Sequence, residues 1–269
     1  MQAGIVHNAL GATDLAEAFA RAGEIGFDGL EVFYSSAEDA ALLSADGHAE
    51  ALRGYARRAG VRIEGMAMAF LCGSRSLIGD AGQIEQTQTH VLQALMVAAE
   101  ADCPMVMVPF FGQNLIETED ELQRAADALL DLADAAEASG VVLGVESTLN
   151  CHQEQSLLDH VGNSDFVKIY ADTGNDTARK FDPPTNIRRL GPGALCGVHF
   201  KDVRLKAGEP PDYSVALGEG DVDFAAVVNA LRAVNYDGWI VLETPKGQDP
   251  LASARANLAF TRELLNQTA

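Results

Sequence analysis

Val141-Val142-Leu143-Gly144-Val145-Glu146 is an apolar run that stops on a carboxylate, and the rest of the chain is read outward from it. A stretch this short and this apolar suits a buried strand of a parallel sheet better than a surface helix. Three later stretches repeat the design: Phe166 to Asp172, Ala194 to His199 in a strand running on to Phe200, and Trp239 to Glu243. Each is mainly apolar and delivers a side chain able to ligate a metal. Toward the N-terminus, strands are predicted at Gly4 to His7, Gly29 to Phe33, Arg62 to Phe70 and Met105 to Pro109.

Amphipathic, Ala-rich runs separate these strands. Helices are predicted near Asp14 to Ala22, Asp46 to Ala59, Ile84 to Ala101, Gln155 to Val161, within Asn175 to Leu190, at Phe224 to Val234 and at Pro250 to Leu265. A longer one starts at the capping box of Thr118 and Glu121 and ends near Ser139-Gly140. Gly26 and Gly60 stand where helices should stop. Eight strand-helix pairs in roughly 250 residues predict an α/β fold, a closed (β/α)8 barrel, whereas a doubly wound sheet usually has fewer strands and often a Gly-rich first turn. No Pro- or Ser-rich linker divides the chain, so one domain over residues 1–269 is expected. The Gly- and Pro-rich segment Arg204 to Asp221, after strand seven, is the longest loop and a candidate lid.

Nineteen Lys plus Arg against thirty-nine Asp plus Glu give 269 residues a formal charge of -20. Generic binding to nucleic acid or to an anionic membrane is therefore disfavoured. The cysteines at 72, 103, 151 and 196 form no CxxC pair, which points away from a zinc finger or disulfide framework and toward a reducing cytoplasm. The N-terminus lacks the features of a signal peptide, and no apolar stretch reaches the roughly 20 residues of a membrane span.

In a barrel the carboxyl ends of the strands converge on one rim, so Glu146, Asp172, His199 and Glu243 are expected to share one mouth although about 26 to 44 residues separate successive members. Taken singly, each is as well explained by a solvated loop start. Together, three carboxylates and an imidazole need a cation, because without one they repel and force a proton onto a carboxyl group. The set requires no thiolate, so one divalent ion is expected, with Mn, Mg, Co and Zn all compatible.

With these residues the sequence resembles the xylose isomerase-like TIM barrel superfamily of sugar isomerases and epimerases, which also contains abasic-site endonucleases, inosose dehydratases and dehydroshikimate dehydratases. The resemblance covers nearly the whole chain. It is carried by Gly26-Phe27-Asp28-Gly29-Leu30-Glu31, by Glu146, by Asp172-Thr173-Gly174-Asn175 and by His199-Phe200-Lys201-Asp202. The segments Leu217-Gly218-Glu219-Gly220-Asp221-Val222-Asp223-Phe224 and Gly238-Trp239-Ile240-Val241-Leu242-Glu243-Thr244-Pro245 complete it. It implies that Glu146, Asp172, His199 and Glu243 hold the metal and that the two glutamates are the catalytic acid and base. The implied reaction is epimerisation or isomerisation of a sugar or sugar phosphate through an enediolate, whose developing charge the metal stabilises.

Many ketose 3-epimerases of the superfamily have a histidine three residues after the strand-six aspartate, where this chain has Asn175. Asn175, His152, Glu31 and Asp202 are the further candidates for substrate contact, Asp202 also as a partner for an imidazole N–H. Arg204 and Lys246 are candidates for meeting a phosphate or carboxylate, with a solvated turn as the alternative for Lys246. Met66, Met68, Met105 and Met107 read as barrel filling, Cys103 and Cys196 as small buried residues, and Arg53, Arg57 and Arg58 as a solvated helix face. The alternative function is a metal-dependent lyase of the same superfamily, dehydrating an inosose or a dehydroshikimate-like compound. Six histidines and the acidic charge argue against abasic-site cleavage. A small-molecule carbohydrate is the expected partner, and the resemblance allows a homo-oligomer, although no apolar stripe marks an interface.

Overall fold

Eight parallel strands close into a barrel in the order β1-β2-β3-β4-β5-β6-β7-β8 in the computed structural model, which describes residues 1–267. The strands are β1 Gln2–Val6, β2 Gly29–Phe33, β3 Arg62–Ala67, β4 Met105–Pro109, β5 Val142–Glu146, β6 Val167–Asp172, β7 Leu195–Phe200 and β8 Trp239–Leu242. Parallel neighbours need a crossover, and helices supply it: α1 Leu15–Ile25, α2 Ala37–Leu42, α3 His48–Ala59, α4 Ala81–Glu100, α5 Glu119–Ser139, α6 Cys151–His160, α7 Thr173–Ala178, α8 Pro183–Leu190, α9 Phe224–Ala233 and α10 Pro250–Asn266.

The chain divides into two compact units, one of residues 1–31, 55–62 and 171 onward, the other of residues 32–54 and 63–170. In the first, β1 lies between β2 and β8, and β7 pairs with β8 so that His199 stands level with Val241. In the second, β4 lies between β3 and β5, with Pro109 level with Glu146, and β5 pairs with β6. The strands are buried, as a parallel sheet covered by helices requires: β4 is buried at every position, and Met66, Met68, Met105 and Met107 are all core residues.

Local chemistry sets the element ends. Thr118 accepts from the Glu121 amide and Glu121 reaches back to the Thr118 amide, which starts α5 as predicted. Leu122, Ala125, Ala126, Leu129, Leu132, Ala133 and Ala136 then repeat at helical spacing as its buried stripe. The expected strand three is shorter: it stops at Ala67, and Ala69–Gly73 forms a 3-10 turn that takes in Phe70. His7 likewise belongs to a 3-10 turn after β1. The predicted helix within Asn175 to Leu190 is two helices, because Pro183 and Pro184 start a new one at Asp182. Cys196 is half-buried rather than buried. Arg204 and Asp212 form an isolated bridge in the long loop after β7. Among the described residues no helix is long and apolar enough to cross a membrane.

Candidate metal centre

Glu146 is the last residue of β5 and Asp172 the last of β6; His199 is next to last in β7, and Glu243 follows β8 with its amide still donating to the Phe200 carbonyl at 3.1 Å. One ligand atom from each of these four residues lies within 4.8 Å of all the others. Glu146, Asp172 and His199 are buried, whereas the Glu243 side chain keeps 24% of its surface open.

Three of the four candidate ligands, His199, Asp172 and Glu243, are aimed by a second interaction. His199 Nε2 lies 2.7 Å from Glu31 Oε2, and both side chains are fully buried. With the ring proton on Nε2 for that bond, the Nδ1 lone pair is left toward Glu243 Oε2 at 3.3 Å and Asp172 Oδ2 at 3.8 Å. Asp172 is split in its duties. Its Oδ1 accepts the Asn175 amide at 2.7 Å, capping α7, and its Oδ2 faces the cluster.

Lys201 supplies the positive charge of the rim. Its Nζ is 2.8 Å from Glu243 Oε2 and 3.6 Å from Asp172 Oδ2. The backbone beneath it is fixed by Thr173, whose hydroxyl donates toward the carbonyls of Lys201 (2.8 Å) and His199 (3.1 Å) and accepts the Lys201 amide (3.1 Å). Burial pushes the Glu243 carboxyl up, but Lys201 and His199 outweigh burial and hold it below the ordinary glutamate range.

The donor set fits a divalent ion. Two carboxylates about 4 Å apart repel by about 4 kcal/mol at an effective dielectric near 20, and one ammonium does not neutralise three carboxylates. Ligand atoms each about 2.1 Å from a shared ion lie at most about 4.2 Å apart, so the 4.8 Å spread closes with shifts of a few tenths of an ångström. Oxygen donors with one imidazole are compatible with Mn, Mg, Co or Zn.

The other candidates are distributed differently. Glu31 joins the centre through His199. Asn175 is half-buried on α7, and its amide, three residues past a ligand, is the Asp172 cap. His152 is exposed on α6, which begins at Cys151 because Asn150 accepts the His152 and Gln153 amides; the expected strand-five loop is shorter there. Asp202 does not partner the imidazole: its two oxygens accept the amides of Val203, Gly218, Gly220 and Val222 at 2.8 to 3.2 Å. Arg204 donates to the Glu219 carbonyl at 2.8 Å within the same loop. Lys201, Thr173 and Tyr213 also stand at the site. The first two lie within the quoted Asp-Thr-Gly and His-Phe-Lys-Asp segments, whereas Tyr213 carries no local signal. A cavity of about 360 Å³ is lined by Lys201, Tyr213, Glu243 and Lys246 among others. A larger one of about 810 Å³, lined by residues 43–50, Arg53 and one side of α4, includes none of the four ligands.

The sequence profile described as xylose isomerase-like TIM barrel matches residues 19–264. Among curated relatives, a 2-epi-5-epi-valiolone 7-phosphate 2-epimerase of Actinoplanes sp. is 29% identical over 92% of this chain and 88% of its own length. An inosose dehydratase of Lacticaseibacillus casei is 30% identical over 52% of this chain and 51% of its own. Among solved structures, a D-psicose 3-epimerase with D-tagatose from Clostridium cellulolyticum H10 superposes with a TM-score of 0.82 at 18% identity, covering 99% of this chain and 100% of that one. The barrel of eight strands and a profile match running through all four ligands lead to one conclusion: the chain belongs to the xylose isomerase-like TIM barrel family.

Proposed function

We propose that this protein is a divalent-metal-dependent epimerase or isomerase of a sugar or sugar phosphate, with Glu146 and Glu243 as the acid and base. The observation that carries this reading is the grouping of Glu146, Asp172, His199 and Glu243 within 4.8 Å, with two glutamates from strands that are not neighbours in the barrel. When bound, the ion supplies a Lewis acid that polarises a substrate carbonyl and offsets the negative charge left by proton removal.

The chain's own residues do the rest. One glutamate takes the proton from the carbon beside the carbonyl, leaving an enediolate, and the other returns a proton to the opposite face. The Lys201 ammonium, 2.8 Å from Glu243 Oε2, favours the ionised form of Glu243, the state required of a base. Glu31 holds the His199 ring in one orientation, so the ligand geometry does not depend on substrate.

A second reading has its own support in the inosose dehydratase relatives. There the same proton abstraction is followed by departure of a hydroxyl group as water, and no proton returns to carbon. Both relatives' names point to ketones of cyclic polyols, which makes keto-cyclitols as relevant a test set as open-chain ketoses.

The test is incubation of protein loaded with Mn, Mg, Co or Zn in D2O with ketoses, keto-cyclitols and their phosphates, alongside elemental analysis of purified protein. Deuterium at the carbon beside the carbonyl together with a new diastereomer is the expected result. Enone absorbance with water loss establishes the lyase instead. Protein that binds no divalent ion and exchanges no deuterium overturns both.

A further inference from the structure

The loop after β7 brings to the metal centre one side chain that the proposed proton transfers do not use. Tyr213 lines the cavity of about 360 Å³ together with Glu243, Asn8 and Pro245. Its backbone is fixed on both sides. Before it, the Arg204 amide donates to the Asp212 carbonyl at 2.8 Å, and the Asp212 amide donates to the Arg204 carbonyl at 3.0 Å. After it, the Ser214 amide donates to Asp212 Oδ1 at 2.9 Å, and Val215 is buried. Residues 205–211, the tip of the loop, are exposed, so the anchored part of the loop begins where Tyr213 stands.

The ring and the hydroxyl of Tyr213 differ in their partners. The Lys201 ammonium lies 5.2 Å from the ring centroid, within cation–π range, and steadies the ring. The hydroxyl enters no hydrogen bond among the described residues, although the side chain is half-buried. It therefore offers its O–H to whatever fills the cavity. Burial pushes the phenol above its ordinary range, and the carboxylates of Asp172 and Glu243 act in the same direction, so at neutral pH it is a donor without charge.

We propose that Tyr213 is a specificity-determining residue whose hydroxyl donates to one hydroxyl of the substrate polyol, away from the carbonyl and from the carbon that exchanges its proton. The inference rests on the epimerase reading and deepens it, because it gives one substrate hydroxyl a partner on the loop after β7. Two glutamates acting on one carbon require a single substrate orientation, and a contact to the side of that carbon supplies it. A site that pairs a substrate hydroxyl also rejects the analogue lacking it, since the phenol is then left without an acceptor. No charge is involved, so the contact reads a hydroxyl and not an anionic group.

The experiment is a cycle of substrate and variant, read by deuterium exchange on metal-loaded enzyme. Each ketose or keto-cyclitol that exchanges is compared with its monodeoxy analogues, in the wild type and in Tyr213→Phe, which keeps the ring over Lys201. Metal content, measured alongside, is expected to be the same in both proteins. In the wild type, loss of one particular hydroxyl should lower kcat/KM about five- to tenfold. In Tyr213→Phe the complete substrate should fall by about the same factor, and that one analogue should fall no further. Loss of any other hydroxyl should affect both proteins equally. A loosened loop would weaken every compound alike, so a uniform fall in Tyr213→Phe, or no fall at all, overturns the assignment and leaves the epimerase reading standing. If no compound exchanges deuterium, the epimerase reading falls, and calorimetric binding of the same compounds to zinc-loaded protein decides Tyr213 alone. The same dependence on one hydroxyl, seen in affinity, supports it. Equal affinity of the two proteins, or no binding, removes it.

Discussion

Asp172 and Asp202 are both buried, both follow the apolar run of a barrel strand, and serve opposite purposes. Asp202 receives the amides of Val203 and Val222 on Oδ1 and those of Gly218 and Gly220 on Oδ2, so the loop after β7 is gathered around one side chain. The fit is close enough that a Cβ at Gly220 would lie 2.3 Å from Asp202 Oδ1. Four amide donors satisfy its two oxygens, and no ion pair to it is present among the described residues. Asp172 has one oxygen on an amide and the other facing the His199 ring and the Lys201 ammonium. Burial is alike in the two aspartates; the donors differ, and the donors tell a loop organiser from a candidate metal ligand.

The largest effect is expected where carboxylates face one another. Glu146→Gln and Glu243→Gln should each lower substrate deuterium exchange by about 10³-fold, within the range of general acid–base catalysis, with the circular dichroism spectrum unchanged. Normal exchange in either variant removes that glutamate from proton transfer. On the other side of the comparison, Asp202→Ala leaves four amides without their acceptor. It should cost about 3 to 5 kcal/mol in denaturant unfolding while the folded protein keeps its metal content by elemental analysis. Loss of metal at unchanged stability would reverse the assignment of the two aspartates.

How far this division was legible in the sequence follows from the range of each interaction. The strands β2 and β4 have the bounds predicted for them, and the four candidate ligands were visible because each stands at or next to the end of a mainly apolar run. The α5 start was readable because a capping box spans only four residues. The same signal, Ser36 with Asp39, starts α2, but that helix buries no residue and so shows no apolar stripe. Asn150 with Gln153 likewise starts α6 and carries His152 out of the loop where it was expected. The pairing of Glu31 with His199 spans 168 residues, and nothing local to either announces it. The loop-gathering bonds of Asp202 were hidden for the same reason: they include amides sixteen to twenty residues further on, and an amide leaves no mark in the sequence.

Two intermediate effects sharpen the contrast. Glu31→Gln keeps the shape but weakens the acceptor for His199 Nε2, and it should lower metal affinity by about 10- to 100-fold in competition with a chelator. Asp172→Asn should also reduce metal occupancy, because it removes a charge from the cluster. Asp202→Asn should leave metal affinity where it is in the wild type. A Glu31→Gln protein with undiminished affinity would mean that Glu31 supports the barrel wall rather than the ligand.

Asp176, on α7, is the case between the two extremes, and its effect is the smallest. Among the described residues its carboxylate has a single donor, Asn186 Nδ2 at 2.9 Å, and enters no ion pair. Burial pushes its carboxyl up to about 6, Asn186 pulls it down, and nearby Asp182 adds to the rise. An unfolded aspartate titrates near 3.9, so between about pH 4 and pH 6 the folded chain holds a proton that the unfolded chain has lost. This group therefore favours folding fully below pH 4, and that contribution disappears as pH rises through 6. Asp176→Asn cannot lose the proton and still offers Asn186 an oxygen. Relative to wild type it should be nearly neutral at pH 4 and more stable by about 1 to 2 kcal/mol above pH 6, after allowing for partial exposure. Thermal melts at several pH values check this. A stability difference that is flat with pH would mean that Asp176 ionises at its ordinary value, and that one side-chain amide suffices where Asp202 uses four.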